Sequence, residues 1–405
     1  MLTVLATFLP LASVTAIQGP PPTPVPPRGS PSPFIQRLDT APATAKPPQV
    51  QAKAVLLVDL DSGQVLYERR PDLERPIASL TKVMTALLVL EESKLKQQVA
   101  ASPEAVRTAA VGLSSLGLRP GEKLSVQDLL WALLLGSAND AAVALAEHVS
   151  GSVPAFVKLM DRRAAQLGMD HTHFASPNGL SDKGYSSAAD LAIVTREAMQ
   201  LPTFAKMVRT KFHTVKGKPP RHIQNRNVLL WLYPGASGVK TGFTTAAQYN
   251  VIATAQRGGR RLLAIVLGEP REAFSDAAEI LNYGFKGFVP TEVVAVGDGQ
   301  GERSVSGERV LLEAGASSTI LVPKKGSDDI ALRPVLDGDP VGVGPGDEVG
   351  VLRISLAGRE VGTVPLVVME VLGGSSAPGA TPAWIEEEAE DIARGLGGAL
   401  GDLFG

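Results

Sequence analysis

A serine hydroxyl becomes a useful nucleophile only when a neighbouring group takes its proton. In this 405-residue chain the pattern that could supply such a pair is Ser-x-x-Lys. Lysine can act as the base only while it is neutral near pH 7, and burial and nearby positive charge both favour that state. On a helix the spacing puts both side chains on one face, one turn apart. The pattern occurs three times: Ser79–Lys82, Ser93–Lys96 and Ser237–Lys240. Ser93–Lys96 lies in the polar run Glu91-Glu92-Ser93-Lys94-Leu95-Lys96, and Ser237–Lys240 crosses a glycine into a predicted strand. Ser79–Lys82 opens an apolar helix. There Lys82 would be partly desolvated, and free backbone N–H groups would be available to an oxyanion. Taken alone, Ser79 reads equally well as a helix cap.

Two further patterns follow it. Ser137-Ala138-Asn139 joins two predicted helices; Ser-x-Asn recurs at Ser176-Pro177-Asn178, so by itself it signals no more than capping. Lys240-Thr241-Gly242 occurs once, and alone it would be an edge strand running into a turn. Its glycine would let a substrate backbone approach closely. Composition narrows the other options. Net charge is −2, from 39 basic and 41 acidic residues, which argues against a nucleic-acid binder. There is no cysteine, so a disulfide framework, a thiolate zinc site and a cysteine nucleophile are excluded. Five histidines occur, and the pair His171 and His173 is read as polar surface rather than as metal ligands, because no metal-type cluster lies nearby in sequence.

The elements that must position these residues are legible from periodicity. Ala52 to Arg70 predicts a hairpin turning at Asp61-Ser62-Gly63, and Ile77 to Leu90 a helix that starts after Pro76. Helices are expected over Val126 to Leu135, Ala141 to Val149, Val153 to Leu167 and Ala188 to Met199. Gly238 to Gly242, Tyr249 to Ala255 and Arg261 to Leu267 predict strands, followed by a helix over Phe274 to Phe285. Strands at both ends with helices between them predict one antiparallel sheet in an α+β fold. From about Val289 short apolar runs alternate with Gly/Asp/Pro turns, which predicts a small all-β domain.

Both chain ends have a different texture. The apolar stretch Leu2 to Ala16 is too short to span a bilayer and ends in Val14-Thr15-Ala16, like a signal peptide, although no Lys or Arg precedes it. The expected division is residues 1–16 as signal peptide, 17–48 as Pro-rich linker, 49–288 as catalytic domain, 289–372 as β domain, and 373–405 as linker and amphipathic tail helix. The tail stripe of Ile385, Ala389, Ile392, Leu396, Leu400 and Leu403 would suit peripheral membrane contact. Glu386-Glu387-Glu388, Glu390 and Asp391 speak equally for a solvated or partner-packed tail.

In the order Ser79-x-x-Lys82, Ser137-x-Asn139, Lys240-Thr241-Gly242, the three patterns match the active-site set of penicillin-interacting serine enzymes. The chain resembles the D-alanyl-D-alanine carboxypeptidases among the low-molecular-mass penicillin-binding proteins, serine peptidase family S11. The resemblance runs from about Ala54 to Gly287 and takes in Pro76-Ile77-Ala78-Ser79-Leu80-Thr81-Lys82, Gly117-Leu118-Arg119-Pro120-Gly121-Glu122 and Gly136-Ser137-Ala138-Asn139-Asp140-Ala141-Ala142. It continues in Pro177-Asn178-Gly179-Leu180, Tyr185-Ser186-Ser187-Ala188 with Asp190, and Asn225-Arg226-Asn227. It implies a penicillin-binding-protein/β-lactamase-like fold and an acyl-enzyme on Ser79, with Lys82 as general base and Ser137 as proton relay. It places Asn139 on the substrate peptide, Lys240, Thr241 and Arg226 near its terminal carboxylate, and the backbone N–H groups of Ser79 and Phe243 in the oxyanion hole. It implies a peptidoglycan pentapeptide as substrate, β-lactams as covalent inhibitors, action outside the cytoplasm, and no metal or organic cofactor. Where some relatives carry histidine, this chain has Phe243 and Gly184. A DD-endopeptidase would share these residues. A β-lactamase would want a loop Glu-x-x-Leu-Asn, which does not occur between Ser137 and Lys240. A non-catalytic wall-binding protein would not need both Ser79 and Lys82.

Overall fold

The computed structural model describes residues 48–374, apart from 110–113, 218, 272, 325–328 and 338–341. The signal-peptide stretch, nearly all of the Pro-rich linker and the tail helix lie outside the described residues.

The chain opens with β1 (Ala54–Asp59) and β2 (Val65–Arg69), then a 3-10 turn (Ala78–Thr81) leading into α1 (Lys82–Glu92). Next come β3 (Gln98–Ala100), α2 (Pro103–Arg107), β4 (Lys123–Ser125), α3 (Val126–Leu134), α4 (Asn139–Ser150), α5 (Val153–Leu167), α6 (Ala188–Gln200) and α7 (Pro202–Val208). A small hairpin, β5 (Phe212–Val215) and β6 (Arg221–Gln224), precedes the single turn α8 (Leu229–Leu232). The strands β7 (Ala236–Thr244), β8 (Gln248–Arg257) and β9 (Arg260–Glu269) and the helix α9 (Phe274–Gly287) follow.

The main sheet has the order β2-β1-β9-β8-β7, antiparallel throughout. It therefore joins strands from the two ends of this region, as the pattern predicts. Its strands read as unbroken apolar runs because both faces are covered. Leu56, Val58, Leu263 and Ile265 face the helical side with α1, α3, α4 and α6; Val55, Leu57, Leu262, Ala264 and Val266 pack on the other side against Ala277, Ile280 and Leu281 of α9. Serine side chains cap the helices where expected: Ser125 accepts from Asp128 N–H, Ser152 from Ala155 N–H and Ser187 from Asp190 N–H. At the far end β7 is an edge strand, with no strand on its outer side among the described residues.

Helix α1 is buried all round from Lys82 to Val89. It is not the helix the periodicity predicts, because it starts at Lys82 and Ser79 lies in the preceding 3-10 turn. Ala78, held at φ +49, stops any α-helix from running back beyond Ser79.

After α9 the chain becomes all-β, as its texture suggests. β10 (Phe288–Val294) is followed by β11 (Gly299–Val305), β12 (Glu308–Ala314), β13 (Ser318–Pro323), β14 (Ile330–Leu336), β15 (Glu348–Leu356) and β16 (Arg359–Gly374). β10 pairs with β13, and the other five form a sheet of order β11-β12-β16-β15-β14. Val294, Val310, Leu312, Val322, Leu352, Ile354 and Leu366 form its own core. The Gln64 side chain joins the two parts: its Nε2 donates to Leu321 O at 2.7 Å, and its Oε1 accepts from Leu321 N–H at 2.7 Å.

Candidate active site

A 3-10 helix has three residues per turn, so positions i and i+3 eclipse. Ser79 and Lys82 therefore stand over one another, and Lys82 Nζ lies 2.8 Å from Ser79 Oγ. Lys82 has no solvent exposure. Its other two contacts are Asn139 Oδ1 at 2.8 Å and Asn178 O at 2.6 Å, both pure acceptors. A neutral amine has two N–H bonds and one lone pair. Both N–H bonds are taken by these acceptors, which leaves the lone pair for the Ser79 hydroxyl proton. The electrostatics agree. Burial pushes the Lys82 ammonium well below the usual lysine range, and the charges of Lys240 and Arg226 push in the same direction against the pull of Asp140.

The second pattern enters between α3 and α4. Asn139 is the first residue of α4, not part of a loop, and its backbone N–H donates to Ser114 O. Ser137 sits at φ +60 with its Oγ buried and without a hydrogen-bond partner among the described residues. A left-handed non-glycine residue and an unmet hydroxyl each cost about 1–3 kcal/mol, a cost characteristic of functional positions. Asp140, fully buried, turns away from the nucleophile. Its carboxylate accepts the N–H groups of Leu116, Gly117 and Leu118 at 2.9–3.1 Å. This clamps the 116–118 loop onto the α4 N-terminus, where the helix dipole also favours negative charge. A cleft of about 230 Å³ opens beside it, lined by Ser115, Leu116, Gly136, Ala138 and Arg226.

The third pattern lies on β7. Lys240 is 2 % exposed, with its Nζ donating to Thr241 O at 2.9 Å. Burial, then the charge of Arg226, pushes it down to about 7. At Gly242 the strand touches the nucleophile turn: a Cβ there would come 2.9 Å from Ile77 O and 3.1 Å from Ser79 N. Any side chain would pry β7 away from Ser79. Phe243 follows, 56 % exposed, its ring 4.5 Å from that of Tyr249. Thus Ser79, Lys82 and Asn139 meet directly, Lys240 and Arg226 reach Lys82 through their charge, and Gly242 brings β7 and Phe243 alongside Ser79.

The other two Ser-x-x-Lys pairs are elsewhere. Ser93 caps the end of α1 and Lys96 is exposed, while Ser237 bonds Thr254 within the sheet. His171 and His173 lie against Glu74 and Asp161, and no group of metal-ligand side chains occurs among the described residues. The pattern at Ser176-Pro177-Asn178 is not idle, however. Its contribution is the Asn178 carbonyl on Lys82, with the Pro177 carbonyl held by Thr85 Oγ1 at 2.6 Å. A backbone atom has no side-chain signature; the local signal was the turn-forming Pro177-Asn178-Gly179. Tyr185-Ser186-Ser187-Ala188 with Asp190 acts at one remove. Ser186 exchanges backbone hydrogen bonds with Arg75, and Asp190 accepts from His171 N–H and Thr172 Oγ1, steadying the segment that leads into Ser79.

The sequence model of peptidase family S11, described as D-alanyl-D-alanine carboxypeptidase, matches residues 41–271. The D-alanyl-D-alanine carboxypeptidase DacF of Bacillus subtilis is 32% identical over 335 residues, 79% of this chain and 85% of the relative. Penicillin binding protein 5 from Haemophilus influenzae superposes with a TM-score of 0.70 at 32% identity, covering 81% of this chain and 99% of that one. A Streptomyces K15 DD-transpeptidase matches over its whole length but only 59% of this chain, at 34% identity and a TM-score of 0.56. Family match, relatives and site geometry agree, and the chain belongs to the D-alanyl-D-alanine carboxypeptidase family of serine peptidases, S11.

Proposed function

We propose that the protein removes the terminal D-alanine from peptidoglycan stem peptides, with residues 49–288 as its catalytic unit, and that it works as an exported protein outside the cytoplasm. Lys82 takes the Ser79 proton as Oγ attacks the carbonyl carbon of the penultimate residue. The resulting oxyanion is held by the backbone N–H groups of Ser79 and Phe243. Asn139 holds the peptide, and Ser137 with Lys82 passes the proton to the leaving amine. Free D-alanine departs, the acyl group stays on Ser79, and water then releases it. The single observation carrying this reading is the lysine with three contacts, two of them acceptors and the third the serine hydroxyl. Among the described residues Asp140 is the one carboxylate whose charge reaches Lys82, and its oxygens are occupied by loop amides. It is no base for deacylation, so activating the water falls to Lys82. D-alanine departs and makes room for that water, whereas the amine of an opened β-lactam stays tethered to the acyl group. β-Lactams should therefore stay attached, in contrast to a β-lactamase.

The test is covalent labelling. A fluorescent penicillin is expected to label the wild type and a tryptic peptide containing Ser79, and to leave Ser79→Ala unlabelled. Folded wild type that stays unlabelled would sink the enzyme reading. Release of D-alanine from a pentapeptide, without cleavage of cross-linked dimers, then separates carboxypeptidase from endopeptidase.

The carboxylate site yields a pH signature. Lys240 must be charged to bind the substrate carboxylate, and in the empty site it titrates at about 7. Above that pH binding must take up a proton, so KM is expected to rise up to about tenfold per pH unit. Lys240→Arg, which stays charged, should remove the rise. A wild-type KM that is flat between about pH 6 and about pH 9 would take Lys240 out of the carboxylate site.

A further inference from the structure

From Leu201 to Gly268 the chain carries 11 Lys/Arg and no Asp or Glu, whereas the rest holds 28 basic and 41 acidic residues. Most of these cations are already engaged. Arg221 pairs with Glu122 and Arg261 with Asp61; Arg257 and Arg260 donate to backbone carbonyls; Lys240 and Arg226 belong to the site above. Lys206, Arg209, Lys211 and Lys216 are different. All four are exposed, and none forms an ion pair among the described residues.

Beside them lies an exposed apolar group. Val228, which caps the start of α8, and Trp231 and Leu232 within it are spaced i, i+3 and i+4 and so share one side of the turn. Phe212, at the start of β5, sets its ring against that of Trp231 at 5.6 Å. Leu232 is 76 % exposed and Phe212 62 %, with Trp231 and Val228 both above a third. Lys211 Nζ stands 5.6 Å from the Trp231 ring centre. Large apolar tips and a tryptophan with a lysine over its ring, and further unpaired cations a few residues before them in the chain, are the composition of a surface that sits in a bilayer interface.

We infer that the β5–β6 hairpin and α8 form a docking face for an anionic lipid surface. Charge complementarity selects this occupant. A second copy of the chain would bring like charges together across a twofold contact. A glycan would want carboxylates or several free amides to grip its hydroxyls; this stretch has no carboxylate, Asn225 and Asn227 are buried with their amide oxygens bonded to backbone N–H groups, and Gln224 is the one exposed amide of the hairpin. The carboxyl-terminal stripe has the wrong sign for anionic lipid around Glu386 to Asp391. The face continues into the cleft, because Arg226 is two residues from Val228 and its backbone N–H donates to Leu135 O beside Gly136. Docking there would hold the cleft mouth near the bilayer. The inference does not depend on the activity proposed above.

Full-length protein co-sedimented with phosphatidylcholine vesicles, with and without phosphatidylglycerol, tests it. Binding is expected with the anionic lipid, weakening as salt is raised. The triple variant K206E/R209E/K211E should lose about a hundredfold or more in partitioning, at about 1 kcal/mol per charge near the surface. The double variant F212S/L232S should lose about tenfold. I392S/L396S/L400S, in the tail, should bind as wild type. Thermal unfolding of each variant reports that it is folded. The inference is overturned if wild type ignores anionic vesicles, if folded patch variants bind as wild type, if only the tail variant loses binding, or if the patch variants lose binding to insoluble cell wall or to a second copy instead.

Discussion

Replacing Lys82 with glutamine is expected to slow acylation by penicillin and by peptide at least about 10⁴-fold. General-base removal alone accounts for roughly 10²–10⁴, and members of a nucleophile–base unit lose nearly everything when deleted singly. Lys82 holds the Ser79 hydroxyl, the Asn139 amide oxygen and the Asn178 carbonyl at once. Glutamine keeps a donor for one of the last two and offers no lone pair of amine basicity. Lys82→Arg should be no better, since a guanidinium stays protonated and is larger than the fully buried ammonium it replaces. Stopped-flow acylation beside thermal unfolding separates loss of the base from loss of fold. Folded Lys82→Gln that acylates within tenfold of wild type would remove Lys82 from the chemistry.

Gly179→Ala should have the second largest effect, although residue 179 touches no substrate in the proposed mechanism. Its φ of +77 disfavours any Cβ, and a Cβ would lie 1.9 Å from Ala78 O and 2.5 Å from Ala78 C. These are main-chain atoms, which cannot step aside as a side-chain end can. Ala78 is itself left-handed and positions Ser79. The expectation is about 3 kcal/mol or more of lost stability, from conformational strain plus overpacking. A displaced nucleophile should also lower kcat about a hundredfold. Gly151→Ala provides the control. It has φ +75 with nothing within 4 Å of the added carbon, so it should cost about 1–2 kcal/mol and leave the kinetics unchanged. Equal effects for the two would mean that backbone strain alone, and not the contact with Ala78, is responsible.

The same contact explains what the sequence did and did not disclose. Apolar runs marked the sheet because its strands are buried on both faces, and periodicity marked a helix such as α5, whose core side is Phe156, Met160 and Ala164, more sharply than α1, which is buried all round. Ser79 stood out among three Ser-x-x-Lys serines because the residues after it are apolar, which is a local fact. The 3-10 turn at Ser79 was not legible. It depends on a glycine about a hundred residues downstream pressing on Ala78, and nothing in Pro76-Ile77-Ala78 announces that. Asn178 escaped for a related reason, since it acts through a carbonyl that every residue possesses. Asp140 stands beside Asn139 in sequence and has no pattern of its own. Its work on the amides of 116–118 exists only once the loop is folded onto α4.

The outer edge of β7, which no described strand pairs, has a consequence for what the site can measure. An open strand offers its amides and carbonyls at a fixed rise of about 3.3 Å per residue, so an extended peptide laid along it is read by its main chain before its side chains. Lys240 is one mark on that scale, and the Gly242–Ser79 contact, two residues further on, is another. On the proposed reading the charge at one mark fixes the free end of the peptide, and the hydroxyl at the other cuts at a set distance from it. The cut site would then follow from spacing along a strand, not from a pocket shaped to one side chain. Lengthening or shortening the peptide beyond that span would not shift the bond that is broken.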